Sequence, residues 1–269
     1  MKKSNMGLED YQTIKFDRRG RVLNITFNLP DQLNAISARL HTEISTLFYD
    51  VQLDPHSDVL VLTGEGRAFS AGGDFEQMKK ANAGEAANTT VIESKKMIFG
   101  LLDLEKPIIA KINGHAMGLG ATLALFCDVV FASERALIAD PHVNVGIVAG
   151  DGGAIIWPQL IGYARAKHYL MTGEPIEAKE AMNIGLINFA LPAEELNEAV
   201  DAYADKLAAG AQDAIRWTKV STNIGLKQLA HSIMDVGLGY EMMTIRSADH
   251  AEGIAAFEEK RKPEFGKNK

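Results

Sequence analysis

An α/β fold with an all-helical tail is predicted for this chain by three observations. The runs VLNITFN (Val22 to Asn28), VLVLTG (Val59 to Gly64) and PIIAKI (Pro107 to Ile112) are β-branched or alternating, as strands are. Each is followed within a few residues by apolar positions at helical spacing, so strand and helix alternate. Beyond the short run LINFAL the pattern is helical only.

The first helix starts near Ser37, whose hydroxyl suits an N-cap, and places Leu40, Ile44, Leu47, Phe48 and Val51 on one core-facing stripe. ANAGEAANTT (Ala81 to Thr90) lacks large apolar residues and reads as a loop of the kind that borders sites. The apolar region Ile112 to Cys127 is too short and too rich in Gly, Asn and His to span a bilayer, and reads as a buried helix. Gly185 suits a helix C-cap. The tail reads as helices over Ala193 to Ala209, Ala211 to Ile224 and Leu226 to Ser247. A core over residues 1–192 and a helical region over 193–269 follow from this pattern. Apolar stripes on the tail helices must pack either on their own sheet or on another copy of the chain.

With 269 residues and 46% apolar content the chain has ample material for a core. A formal charge of -7 argues against nucleic-acid and anionic-membrane surfaces as partners. Cys127 is the sole cysteine, set in the apolar run LALFCDVV, so it reads as a buried structural thiol. MKKSNMGLEDYQ carries no apolar stretch behind its lysines, and a reducing, cytoplasmic setting is the expectation.

Three glycine clusters remain: AGGD (Ala71 to Asp74), GHAMGLG (Gly114 to Gly120) and GDGG (Gly150 to Gly153). Leu123 and Ile155 stand where a dinucleotide fingerprint needs its third glycine. No glycine precedes Lys and Ser or Thr as in a P-loop, and Ala68 replaces the glycine of a nucleophile elbow before Ser70. The histidines lack metal-ligand spacing, so no metal is expected. Small residues after a strand also let backbone N–H groups approach a ligand oxygen, as an oxyanion hole requires, and a helix beginning in GLGATLALFC adds its positive end. A glycine turn with no ligand is the alternative at each cluster.

The stretches LPDQLNAIS, GRAFSAGGDF, KPIIAKINGHAMGLGATLALFCDVVFAS, VGIVAGDGG, MTGEPIEAKEAMNIGLIN and FEEKRKPEF, in this order, resemble the crotonase (enoyl-CoA hydratase/isomerase) superfamily over nearly the whole chain. The resemblance implies an α/β spiral of ββα units followed by a C-terminal helical trimerisation region, assembly as a homotrimer or hexamer, and acyl-CoA thioesters as substrates. No cofactor is implied beyond the CoA of the substrate. The N–H groups of Gly73 and Leu119 would hold the thioester oxygen as it becomes an enolate. CoA contacts carry over to Ala35 and Ala71, with Asp74 and Phe75 nearby, and to Phe257 and Lys260 reaching across a subunit boundary.

Hydratases of this family hold water between two glutamates, whose positions here are Thr122 and His142. Thr122 cannot act as a base near neutral pH, whereas an imidazole can. Asp151 is the other candidate, read equally as the N-cap of a helix beginning near Gly152. His142 with Asp151 resembles the branch of the superfamily that cleaves carbon–carbon bonds of β-dicarbonyl compounds, some members of which act without CoA. His142 read blandly only shapes the pocket, and His115, Asp128, Trp157 and Met117 read as structure or pocket wall; Glu93 is a further carboxylate. Three outcomes stand open: thioester enolate chemistry by a lyase or isomerase, retro-Claisen hydrolysis, and a catalytically silent binding homologue.

Overall fold

The computed structural model describes residues 7–85 and 90–266. In chain order the strands and helices are β1 (Ile14–Arg19), β2 (Val22–Phe27), α1 (Ala38–Leu53), β3 (Val59–Gly64), β4 (Ala68–Ser70), α2 (Phe75–Asn82), α3 (Thr90–Asp103), β5 (Ile108–Ile112), β6 (His115–Met117) and α4 (Leu119–Leu125). There follow β7 (Val129–Ser133), β8 (Leu137–Ala139), a 3-10 turn (His142–Val145), α5 (Gly153–Thr172), β9 (Ile176–Glu177), α6 (Ala178–Asn183), β10 (Phe189–Leu191), α7 (Ala193–Ala208), α8 (Gln212–Ile245) and α9 (Ala248–Glu258).

Two sheets share the work. The larger runs β1-β2-β3-β5-β7-β10, parallel except for the β1–β2 pair, and the smaller runs β4-β6-β8-β9. Each turn of the chain gives one strand to the large sheet and the next to the small one, β3 then β4, β5 then β6, β7 then β8, before helical chain follows. This is the expected spiral of ββα units. The central strands β3 and β5 of the large sheet are buried on both faces, which explains why VLVLTG and PIIAKI read as continuous apolar runs.

Helix α1 begins as expected, with Leu40 N–H donating to Ser37 Oγ at 3.3 Å, and buries Leu40, Ile44, Leu47, Phe48 and Val51. Helix α7 folds back over its own sheet, packing Leu196, Val200 and Ala204 on Val22, Val59, Val61, Ile109 and Phe131. Cys127 is buried and inert: burial raises its thiol far above the ordinary range.

Two expectations fail for local reasons. The region Ile112 to Cys127 is not one helix; β6 joins the small sheet first, and α4 runs for only 7 residues behind Gly118, whose φ of 53° turns the chain. The break expected near Gly225 is absent, because α8 is one helix of 34 residues. A lone glycine costs a helix only about 1 kcal/mol, less than the packing of α8 against α3 and α5 returns. Of the loop expected over 81–90, residues 86–89 lie outside the described residues. Among the described residues no helix is long and apolar enough to cross a membrane.

Candidate active site

The glycine clusters meet at one place. Gly72 takes φ 86°, and a Cβ there would lie 2.9 Å from the carbonyl oxygen of Met117, so the turn after β4 and the turn after β6 pack backbone to backbone. That contact sets the N–H of Gly73 beside the first N–H of α4, on Leu119. Leu119 opens its helix, and the parallel bridge of Gly73 with Ile36 runs through Ile36 N–H to Gly72 O and uses no Gly73 N–H. Two unpaired donors at a helix N-terminus make a site for a developing oxyanion.

Two adjoining cavities open here. The outer one, about 310 Å³, is walled by Ala71, Gly73, Phe75, Met117, Pro141 and Phe257. The inner one, about 220 Å³, is bounded by Gly73, Leu119, His142, Asp151 and Glu241, and also by His41 and Glu93. Gly73 and His142 border both, so a carbonyl seated on the amides faces the polar inner space.

His142 is held between two carboxylates. Its Nδ1 hydrogen-bonds Asp140 Oδ1, and its Nε2 lies 3.4 Å from Asp151 Oδ2. Asp140 sits directly over Gly153, where any side chain would overlap its Oδ2, so this glycine is required by the close approach of the carboxylate to the N-terminus of α5. Burial alone would lower the His142 pKa, but Asp140 and Asp151 outweigh it and raise it well above the ordinary imidazole value. Both carboxylates favour the charged form of the ring. Glu241, on α8, is pushed well above the ordinary carboxyl range by burial and by the neighbouring Asp151. His250, on α9, faces the inner cavity with Nδ1 2.6 Å from the Val145 carbonyl oxygen, and burial keeps it neutral.

Asp140, His142 and Asp151 bring ligand-type atoms within 4.8 Å of one another, a spacing a divalent cation could use. The imidazole stands between the two carboxylates, with each nitrogen facing a different one, and this order suits shared protons better than one ion.

Asp151 does not cap α5, contrary to the bland expectation: Gly152 is the N-cap with φ 128°, and Asp151 turns its carboxylate to His142, leaving Oδ1 buried without a partner. Thr122 is fully buried, and its Oγ1 has no partner either. Asp74 caps α2 by accepting from Gln77 N–H at 3.0 Å. Phe75 stacks on Phe257 of the same chain, ring centroids 3.7 Å apart, so α9 closes the outer cavity from within this chain. Lys260 lies exposed beyond α9, and Arg261 borders the outer cavity in its stead. Ala35 sits in the turn ahead of α1 and donates its N–H to Gln32 O. His115 accepts from Leu137 N–H, and Asp128 accepts from Ile108 N–H and pairs with Lys219, all structural roles. Sequence reasoning missed Asp140, Glu241, His250 and His41. For Asp140 a signal existed, a carboxylate two residues before His142 in ADPH; the others arrive from distant helices.

Residues 17–268 match the model of the enoyl-CoA hydratase/isomerase family. The chain belongs to that family. Crotonyl-CoA hydratase of Syntrophomonas wolfei is 34% identical over 257 residues, covering 95% of this chain and 98% of the relative. An enoyl-CoA hydratase/isomerase from Mycobacterium paratuberculosis superposes with a TM-score of 0.87 at 34% identity, covering 90% of this chain and 97% of the other. A β-diketone hydrolase from the cyanobacterium Anabaena, solved with (S)-3-oxocyclohexyl acetic acid bound, gives a TM-score of 0.82 at 31% identity over 89% of this chain and 96% of its own. Membership in the enoyl-CoA hydratase/isomerase family makes the chain an enzyme of that family, and leaves the particular substrate and reaction to be argued from the site.

Proposed function

We propose that the enzyme adds water to an acyl-CoA thioester through an enolate held by the Gly73 and Leu119 N–H groups. The observation carrying this reading is the row Asp140, His142, Asp151, of which His142 and Asp151 border the same inner cavity as Gly73 and Leu119. Asp151 accepts the proton of the attacking water while its oxygen joins the β-carbon. The π electrons move to the thioester oxygen, where two fixed donors meet the charge. His142, whose charged form both carboxylates favour, serves as a hydrogen-bond donor, with Asp140 fixing its ring. Phe75 and Phe257 exclude water from the outer cavity, where the CoA arm would lie.

A second reading, retro-Claisen cleavage of a β-dicarbonyl compound, is favoured by the likeness to the β-diketone hydrolase and by the absence of a carboxylate at Thr122. Water then joins a ketone carbon, the carbon–carbon bond breaks, and its electrons pass to the second carbonyl oxygen at the amides. Assembly of several copies through α8, which exposes Trp217, Val236, Tyr240 and Met243, is part of the same proposal.

Crotonyl-CoA and cyclohexane-1,3-dione, each followed by loss of its ultraviolet absorbance, test the two readings. Slow hydration of crotonyl-CoA supports the first, by a margin of about 10²–10⁴ below a two-glutamate hydratase. Consumption of the dione alone moves the assignment to the second, and consumption of neither refutes both.

A further inference from the structure

Both reactions above move two protons at two atoms. One leaves the attacking water; the other joins the carbon next to the held carbonyl. The row around His142 serves the first. We propose that His41, oriented by Glu93, serves the second and delivers its proton to that carbon from the part of the inner cavity wall formed by α1 and α3, an inference that rests on the preceding reading.

The geometry of that wall carries the argument. His41 stands on α1 and Glu93 on α3, with His41 Nδ1 2.7 Å from Glu93 Oε2 and each side chain 16% exposed. The Thr42 hydroxyl donates to Glu93 Oε1 at 3.3 Å, so the carboxylate is held at both oxygens. A ring that donates Nδ1–H to a fixed carboxylate turns Nε2 the other way. There it meets Ser94 Oγ at 3.4 Å, a long contact through which a proton can be resupplied. His41, Glu93 and Ser94 border the same cavity as Gly73, Leu119 and His142.

The pair is not needed to join α1 to α3, because Ile44, Leu47, Phe48, Met97, Ile98 and Leu101 already bury an apolar contact there. A carboxylate and an imidazole largely withdrawn from solvent in the cavity that Gly73 and Leu119 also line cost desolvation that an apolar pair would avoid. Proton transfer accounts for them. The protonated ring gives its Nε2 proton to the carbon as the enolate electrons form the C–H bond, and Nδ1–H stays on Glu93. The ring then regains a proton from solvent, and the proton taken from water by Asp151 returns to solvent.

The test uses the full-length enzyme with crotonyl-CoA and cyclohexane-1,3-dione, comparing wild type with His41→Asn, Glu93→Gln and His41→Gly, thermal unfolding reporting the fold. On the probe that wild type consumes, kcat of His41→Asn and Glu93→Gln should fall about 10²-fold or more with KM within about twofold, the scale of a lost general acid. Added imidazole should restore part of the His41→Gly rate, which a helix-joining role would not allow. Near-normal kcat in folded His41→Asn, or no imidazole rescue of folded His41→Gly, overturns this proposal alone. Failure of wild type on both probes overturns it together with the reading it rests on.

Discussion

The two sides of the cavity do related work with different materials. At Gly73 and Leu119 the proposed contacts are backbone N–H groups, fixed dipoles with no proton to lose and no side chain to reorient. At Asp140, His142 and Asp151 the working groups are side chains whose charge depends on one another. Backbone donors tolerate any residue that fits the turn, so the side chain of Leu119 is no obstacle to its N–H serving. A titrating row tolerates almost nothing, since removing one carboxylate changes the state of the ring. The first side therefore sets what is stabilised, and the second sets the pH range in which it is used.

Breaking the titrating side should have the largest effect. His142→Ala and Asp151→Asn should each lower kcat about 10²–10⁴-fold on the substrate, measured at several pH values. On the backbone side, Gly73→Pro deletes one donor and should cost about 10²–10³ in kcat, with the circular dichroism spectrum unchanged. Because the amide does not titrate, that loss should be constant across pH, which separates the two sides. Asp140→Asn keeps the shape but weakens the hold on the ring, and a loss of about 10- to 100-fold is expected, equal to a charged hydrogen bond worth about 1.5–3 kcal/mol.

Glu241 sharpens the comparison through stability. Its folded pKa lies above its unfolded one, so the folded state binds the proton more tightly, and this contribution is lost as pH rises from the ordinary carboxyl range through the raised folded value. Glu241→Gln should therefore flatten the fall of the unfolding temperature over that window. His142 has the same sign: its contribution is complete below the ordinary imidazole value and fades as pH rises through the raised folded one. The smallest effect is a control outside the site. Ser37→Ala, which removes the α1 cap, should cost about 1 kcal/mol in denaturant unfolding and leave KM unchanged.

What could be read from the chain follows the same division. Gly72 and Gly73 after β4, and Gly118 before α4, leave a signature because backbone approach demands small residues in a fixed order along adjoining strands. The strands of the large sheet and the α1 stripe were legible for the similar reason that burial imposes a local period. Asp140 was within reach of the same reasoning, two residues from His142. Glu241, His250 and His41 were not: α8, α9 and α1 bring them to the cavity across long separations, and a lone acid or histidine on a helix has no local pattern to mark it. Asp151 misled in another way, since an aspartate before a helix is ordinarily a cap, and only the turn at Gly152 frees its carboxylate for His142.

The claim on which the account turns is that His142 rests as an imidazolium between two carboxylates. Nitrogen-15 NMR of selectively labelled histidine, with His142 assigned by its loss in His142→Ala, measures this directly as pH is raised. The account expects both ring nitrogens to remain protonated at pH 7.5 and the ring to titrate well above 6.5, the value falling in Asp140→Asn. A neutral ring with one bare nitrogen at pH 7.5 in the wild-type protein would contradict it and return His142 to the role of a base.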